Sequence, residues 1–173
     1  MLNYMCTFLI INKIYFIFIV KMSKSWGPSC WYLIHSLATK VKEEEFNGVK
    51  ESIWSIIFEI CRNLPCPECR EHATKLMTTA NKNLILSSKR NLELFLFDFH
   101  NSVNTRKSYS IFTIQEYDQL YSRANMMGIV GNFVSVFNIS THNNKQLLDT
   151  LHRQLFIKRF IKWIDERKQC FSA

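Results

Sequence analysis

Between Pro28 and Lys168 the apolar residues return every three or four positions, segment after segment. That spacing lines one side of a helix and does not fit one face of a strand. Trp31, Ile34/His35, Ala38 and Val41 mark a first helix over Pro28–Val41, with Pro28 suited to the opening turn, where a missing N–H costs nothing. Ile53, Ile56/Ile57, Ile60 and Leu64 mark a second, from about Gly48 to Asn63, which Pro65 stops. A third opens at Cys66-Pro67 and runs to about Thr79. Ser87/Ser88 introduce a fourth, whose face carries Leu92, Phe95/Leu96, Phe99 and Val103. Thr113-Ile114-Gln115-Glu116 is a capping-box sequence, so a fifth helix is expected from there to about Met127. Only Val130–Phe137 admits a period-two strand reading. Beyond it, Asn143–Lys168 sets Leu147/Leu148, Leu151, Leu155 and Trp163/Ile164 against Lys158, Arg159, Lys162 and Arg167. This further amphipathic helix can dock on the bundle, on a second subunit or other partner, or on a membrane surface. The expected fold is all-α, a four- to five-helix bundle with an extra C-terminal amphipathic helix.

Composition narrows the chemistry. With 4 Gly and 3 Pro in 173 residues, neither a Gly-rich dinucleotide fingerprint nor a P-loop can be assembled, so a bound nucleotide must be held by side chains. The net charge of +8 suits nucleic acid, an anionic membrane, an acidic partner or a phosphate-bearing cofactor. The excess is spread over surface positions and the C-terminal segment, not gathered in one block, so no nucleic-acid partner is expected. Residues 1–21 are apolar and aromatic, interrupted by Asn12 and Lys13. They read as a membrane anchor, as a signal peptide lacking a charged start and a small-residue cleavage site, or as an extension upstream of a start at Met22.

Of the six cysteines, only Cys66 and Cys69 have a diagnostic spacing. Cys6, Cys30, Cys61 and Cys170 can pair in three ways or not at all. Cys66-Pro67-Glu68-Cys69 falls at a helix start, where unpaired amides and the positive dipole end stabilise a thiolate. Arg70 and His72 add positive or proton-exchanging character, and a thiolate is the attacking species in thiol–disulfide exchange. The competing reading is zinc, on Cys61, Cys66, Cys69 and His72. Four ligands within twelve residues reach tetrahedral geometry with difficulty, and no second CxxC or distant Cys-His pair completes a structural site, so no metal is expected. The helical flanks also exclude a thioredoxin-like arrangement, which needs strands around its CxxC.

Two polar clusters interrupt the apolar faces. Trp26-Gly27-Pro28 leads to Trp31 and His35, one turn apart. His100 and Asn104 repeat that spacing and are followed by Arg106 and Lys107. Singly, each is a core polar residue that needs a partner; together they read as the lining of a cofactor pocket between helices.

These residues resemble the Erv/ALR family of FAD-linked sulfhydryl oxidases. The likeness rests on Trp31…His35 on the first helix, Cys66…Cys69 opening the third, and His100-Asn101-Ser102-Val103-Asn104 on the fourth, in the family's order and over about Trp26–Met126. The resemblance implies a helical bundle with FAD at its mouth, usually a homodimer. It places Gly27, Trp31, His35, His100, Asn101, Val103, Asn104, Arg106, Lys107 and Tyr121 at the FAD site, with Arg106 and Lys107 toward its phosphates. Cys66 would exchange with a protein thiol substrate and Cys69 would hand electrons to the flavin, which passes them to O2 as hydrogen peroxide. Residues 22–127 would form the oxidase domain, between the 1–21 extension and a 128–173 appendage.

The chain departs from cellular members at several points. It has Gly27-Pro28 for Gly-Arg, Lys107-Ser108-Tyr109-Ser110 for Leu-x-Lys-Pro, and Leu120-Tyr121 for the late Arg-Trp. The extra structural disulfide is missing, with Ile114 at its first position and its second near Gly131. With Glu116-Tyr117…Tyr121, these features are similar to the short oxidases of large DNA viruses, which implies a setting in infected-cell cytoplasm or virion. No shuttle cysteine pair is present in the sequence, so a small CxxC protein is a candidate direct donor. The other functional readings are a basic helical binding module with a structural CxxC or zinc element, and an inactive member of the family.

Overall fold

A computed structural model describes residues 26–138 and 147–172. The expectations for residues 1–21 lie outside the described residues. The helices are α1 (Trp26–Lys40), α2 (Glu43–Arg62), α3 (Pro67–Thr79), the single turn α4 (Lys82–Ile85), α5 (Lys89–Arg106), α6 (Ile114–Ser122), α7 (Met126–Phe137) and α8 (Leu147–Arg167). A 3-10 turn over Lys168–Cys170 follows α8. Among the described residues no strand forms, and an isolated bridge joins Val41 to Phe171.

Local chemistry sets the helix boundaries. Glu43, Glu44 and Glu45 occupy the first turn of α2, where carboxylates complement the dipole, so α2 begins earlier than its apolar stripe suggests. Its end is tied down by the Asn63 side chain, which donates to the Glu59 carbonyl at 2.8 Å. Ser88 caps α5 by accepting from the Asn91 amide, and Thr113 with Glu116 closes a reciprocal capping box on α6. The expected fifth helix does not reach Met127. It stops at Ser122, and Asn125 starts α7 by accepting from the Gly128 amide at 2.8 Å. The Val130–Phe137 segment is therefore helical, because Met126, Ile129, Val130, Phe133 and Phe137 are buried at three-to-four spacing and no partner strand lies beside them.

α1 is the axis of the bundle. Ten of its fifteen residues are buried, so it is covered on nearly every side, chiefly by α7 and α5 and then α6. The expected division between 127 and 128 falls in the first turn of α7. α8 docks on the chain's own bundle: Phe156 and Phe160 meet Phe137 and Phe133 edge to face, at centroid distances of 6.3 and 5.5 Å. Asp149 also pairs with Arg70 of α3 at 3.0 Å. Backbone bonds from Lys42 to Cys170 and from Ser172 to Lys40 close the end of α1 against the segment after α8. Among the described residues no helix is long and apolar enough to cross a membrane.

Candidate active site

Cys66 is the N-cap of α3. Its extended backbone (φ −87°, ψ 116°) precedes Pro67 in the first turn, and its Sγ accepts from the Cys69 amide at 3.2 Å. The same turn joins Cys66 and Cys69 in a disulfide, with their Cα atoms 5.2 Å apart. Both are partly exposed, and both line a cavity of about 700 Å³ walled by α1, the end of α2, α3, α5, α6 and the loop after α5. Such a volume suits a cofactor-sized ligand.

The opposite wall is aromatic and neutral. The Trp31 and His100 rings stack at 4.2 Å with 11° between planes. Behind them, His35 is fully buried and its Nε2 lies 3.0 Å from His100 Nδ1. Burial, reinforced by His100, pushes the His35 pKa well down, and burial lowers that of His100 to about 4. Both rings are neutral near pH 7, so one donates and the other accepts. Tyr121 and Tyr117 pack on His35 at 4.7 and 5.1 Å, and Tyr117 shares a hydrogen bond with Thr39 at 3.0 Å.

A helix C-cap builds the rim. Ser108 takes a left-handed φ of 56°, its amide bonds to the Thr105 carbonyl and the Tyr109 amide to that of Asn104, a Schellman arrangement formed without glycine. The chain then doubles back, and the Asn101 carboxamide clamps Phe112 by donating to its carbonyl at 2.8 Å and accepting from its amide at 2.9 Å. Tyr109 and Phe112 thereby join the cavity wall beside Arg106 and Lys107.

Of the residues expected here, Gly27, Trp31, Cys66, Cys69, His100, Val103, Asn104, Arg106, Lys107 and Tyr121 line one cavity. His35 lies behind its wall and Asn101 braces its rim from outside, so neither is among the lining residues. Trp26, Tyr109 and Phe112 join them, as do Cys30 and Cys61, which no short-range motif singles out. Among the described residues no three Cys, His, Asp or Glu side chains gather as metal ligands. Cys30 and Cys61 are both buried free thiols. Burial pushes the Cys30 thiol well up, with Cys61 adding to the shift, and burial takes the Cys61 thiol to about 12. In the folded, reduced protein at pH 8, iodoacetamide is expected to label Cys66 and Cys69 while sparing Cys30 and Cys61. Peptide mass mapping checks this, and equal labelling of all four would mean that burial does not suppress these two thiols.

Among the described residues no carboxylate lines the cavity, while Arg106 and Lys107 stand at its rim and flat rings form one wall. That donor set fits a planar heteroaromatic ring carrying anionic groups.

The sequence profile of the Erv1/Alr family matches residues 28–122. Protein 096R of invertebrate iridescent virus 3 is 36% identical over 83 residues, 48% of this chain and 56% of that relative. The chain thus spans little more than half the length of that relative. The "FAD-linked sulfhydryl oxidase" of African swine fever virus (isolate Warthog/Namibia/Wart80/1980) is 33% identical over 102 residues, 57% of this chain and 82% of that protein. The protein of the same name from isolate Tick/Malawi/Lil 20-1/1983 is also 33% identical over 102 residues, with the same coverage. No solved structure matches the chain.

Proposed function

The chain belongs to the Erv1/Alr family, and we propose that this FAD-dependent thiol oxidase forms disulfides in protein substrates through Cys66 and Cys69. The observation that carries the reading is that the disulfide opens onto the same cavity as the Trp31–His100 stack and the Arg106/Lys107 rim. FAD, when bound, supplies two-electron acceptance from the dithiol and the return of those electrons to O2 as hydrogen peroxide.

Every other part of the chemistry belongs to the chain's own groups. A substrate thiolate attacks Cys66 Sγ, forming a mixed disulfide, while the electron pair of the broken S–S bond leaves on Cys69 as a thiolate. A second substrate thiolate then attacks the mixed disulfide, so the substrate leaves oxidised and the CxxC pair is left reduced. Cys66 is suited to the exchange because its sulfur occupies the helix N-cap, where the Cys69 amide and the dipole favour negative charge. Trp31, Val103, Asn104 and Tyr121 would hold the cofactor from the cavity wall, and the cations Arg106 and Lys107 would suit its phosphates. Gly27 leaves its stretch of wall open, since a Cβ there would meet no atom within 4 Å. His35 fixes the His100 ring against Trp31, and Asn101 fixes the rim loop through Phe112.

The biological setting follows the family resemblance and the viral relatives. Protein thiols are the donors, a small CxxC protein among them, and O2 is the acceptor. The working unit is a homodimer in the host-cell cytoplasm or virion of a large DNA virus, with residues 1–21 giving membrane association. The test is the visible spectrum of the purified protein before and after dithiothreitol in air. A flavin band that bleaches with thiol and recovers as oxygen is consumed supports the oxidase; a colourless protein holding zinc overturns it.

A further inference from the structure

The released Cys69 is a reductant only as a thiolate, so a base beside it that takes up any proton it acquires would keep it competent. The lining residues narrow the choice. None is a carboxylate, and Arg106 and Lys107 are cations at neutral pH. The Nδ1 of His100 is engaged with His35, and its ring is stacked on Trp31. The remaining imidazole among the described residues of the wall is His72.

His72 follows Cys69 by three residues on α3, the spacing that puts two side chains on one face, and both line the cavity. Its Nδ1 is shut off from solvent and has no hydrogen-bond partner among the described residues. A nitrogen buried without a partner is costly unless another group completes it. Around it stand Lys75 from α3 itself, Arg106 from α5 and the ring of Phe99, centroid 6.4 Å away.

We propose that His72 keeps the released Cys69 in its thiolate form: whenever that sulfur picks up a proton, His72 accepts it, leaving Cys69 as a thiolate and His72 as an imidazolium. The electron pair of the S–H bond stays on sulfur, and the proton moves to the imidazole. The electrostatics act oppositely on the two partners, stabilising the thiolate and keeping the imidazolium short-lived. Burial, then Arg106 and Lys75, lower the His72 pKa, so the ring is neutral and ready to accept at pH 7. The same two cations stabilise the thiolate and, once the imidazole is charged, repel its proton onward. The proposal rests on Cys66 and Cys69 being the redox pair.

The test uses the full chain in a Cys66→Ser background, where Cys69 is the single thiol of the tryptic peptide Asn63–Arg70. The reduced protein is alkylated with iodoacetamide from pH 5 to 9, and the peptide is followed by mass. With His72→Gln added, alkylation at pH 7 is expected to slow about tenfold, equivalent to a rise of about one unit in the Cys69 pKa. Adding 4-methylimidazole to a His72→Ala protein is expected to recover the speed of flavin bleaching by dithiothreitol. Superimposable Cys69 alkylation profiles with and without His72 would overturn the proposal. If His72→Gln does not fold, the imidazole signals of the unsubstituted His72 are titrated by NMR with and without Cys69→Ser, and an unmoved midpoint is equally fatal. The alkylation reports on His72 whether or not flavin is bound. A protein that never oxidises thiols sinks the oxidase reading separately.

Discussion

Cys69→Ser and Cys66→Ser each lower thiol oxidation by at least about a thousandfold, because loss of a reacting nucleophile leaves only residual catalysis. Neither hydroxyl can form a disulfide, and among the described residues no other thiol combines access to the cavity with ready ionisation. Cys30 and Cys61 share the cavity, but their acidity is suppressed by burial, so thiolate is scarce there at neutral pH. Cys170 is also buried, its Sγ faces Glu45 at 3.5 Å, and it is not among the residues lining the cavity. The fold is expected to survive both changes. Serine is among the best N-cap residues, so Cys66→Ser keeps an acceptor for the Cys69 amide and retains α3. Both variants should be purified yellow, with wild-type far-ultraviolet circular dichroism. Oxygen uptake with dithiothreitol is the deciding measurement, and sustained turnover in either variant would remove that cysteine from the reaction.

His100→Ala strips FAD from the protein and destabilises it as well. The substitution removes the ring stacked on Trp31 and leaves the fully buried His35 with no partner at Nε2, when its Nδ1 already has none. An unsatisfied buried polar group costs about 1–3 kcal/mol. Asn104→Ala separates the two effects. Its backbone carbonyl still receives the Tyr109 amide, so the C-cap of α5 remains, while the side chain facing the cavity is lost. FAD occupancy, from the ratio of flavin to protein absorbance, should fall in both variants. The urea midpoint should fall clearly only in His100→Ala. Full occupancy in both would place the cofactor elsewhere.

The helices that carry the disulfide and the histidines were legible because local signals agree there. Apolar spacing marks α1, α2 and α5, Pro65 and Pro67 bracket the start of α3, and Ser88 and Thr113 cap as their types suggest. The break between α6 and α7 was not legible. It depends on one Asn125 side chain choosing the Gly128 amide, inside a run whose apolar content favours either outcome. The shape of the cavity was only partly legible. His35 and His100 share a spacing with their neighbours, but their bond spans 65 residues and exists only after α1 meets α5. Asn101 sits beside His100 in one motif, yet one helical step turns it away toward Phe112. Cys30 and Cys61 entered the cavity through tertiary packing alone.

The central position of α1 also limits how a lineage of such proteins can vary. The helix that presents Trp31 to the cavity also supplies Leu33, Leu37 and Ala38, none of them exposed, to the core. A change on its cavity face therefore disturbs packing, and a change on its packed faces moves the cavity wall. Selection for a new client or acceptor would meet less resistance elsewhere. The rim from Lys107 to Phe112 and the exposed start of α3 at Pro67 and Glu68 can drift without a folding penalty of that size. Divergence among relatives should accordingly concentrate at the mouth and leave the axis nearly frozen.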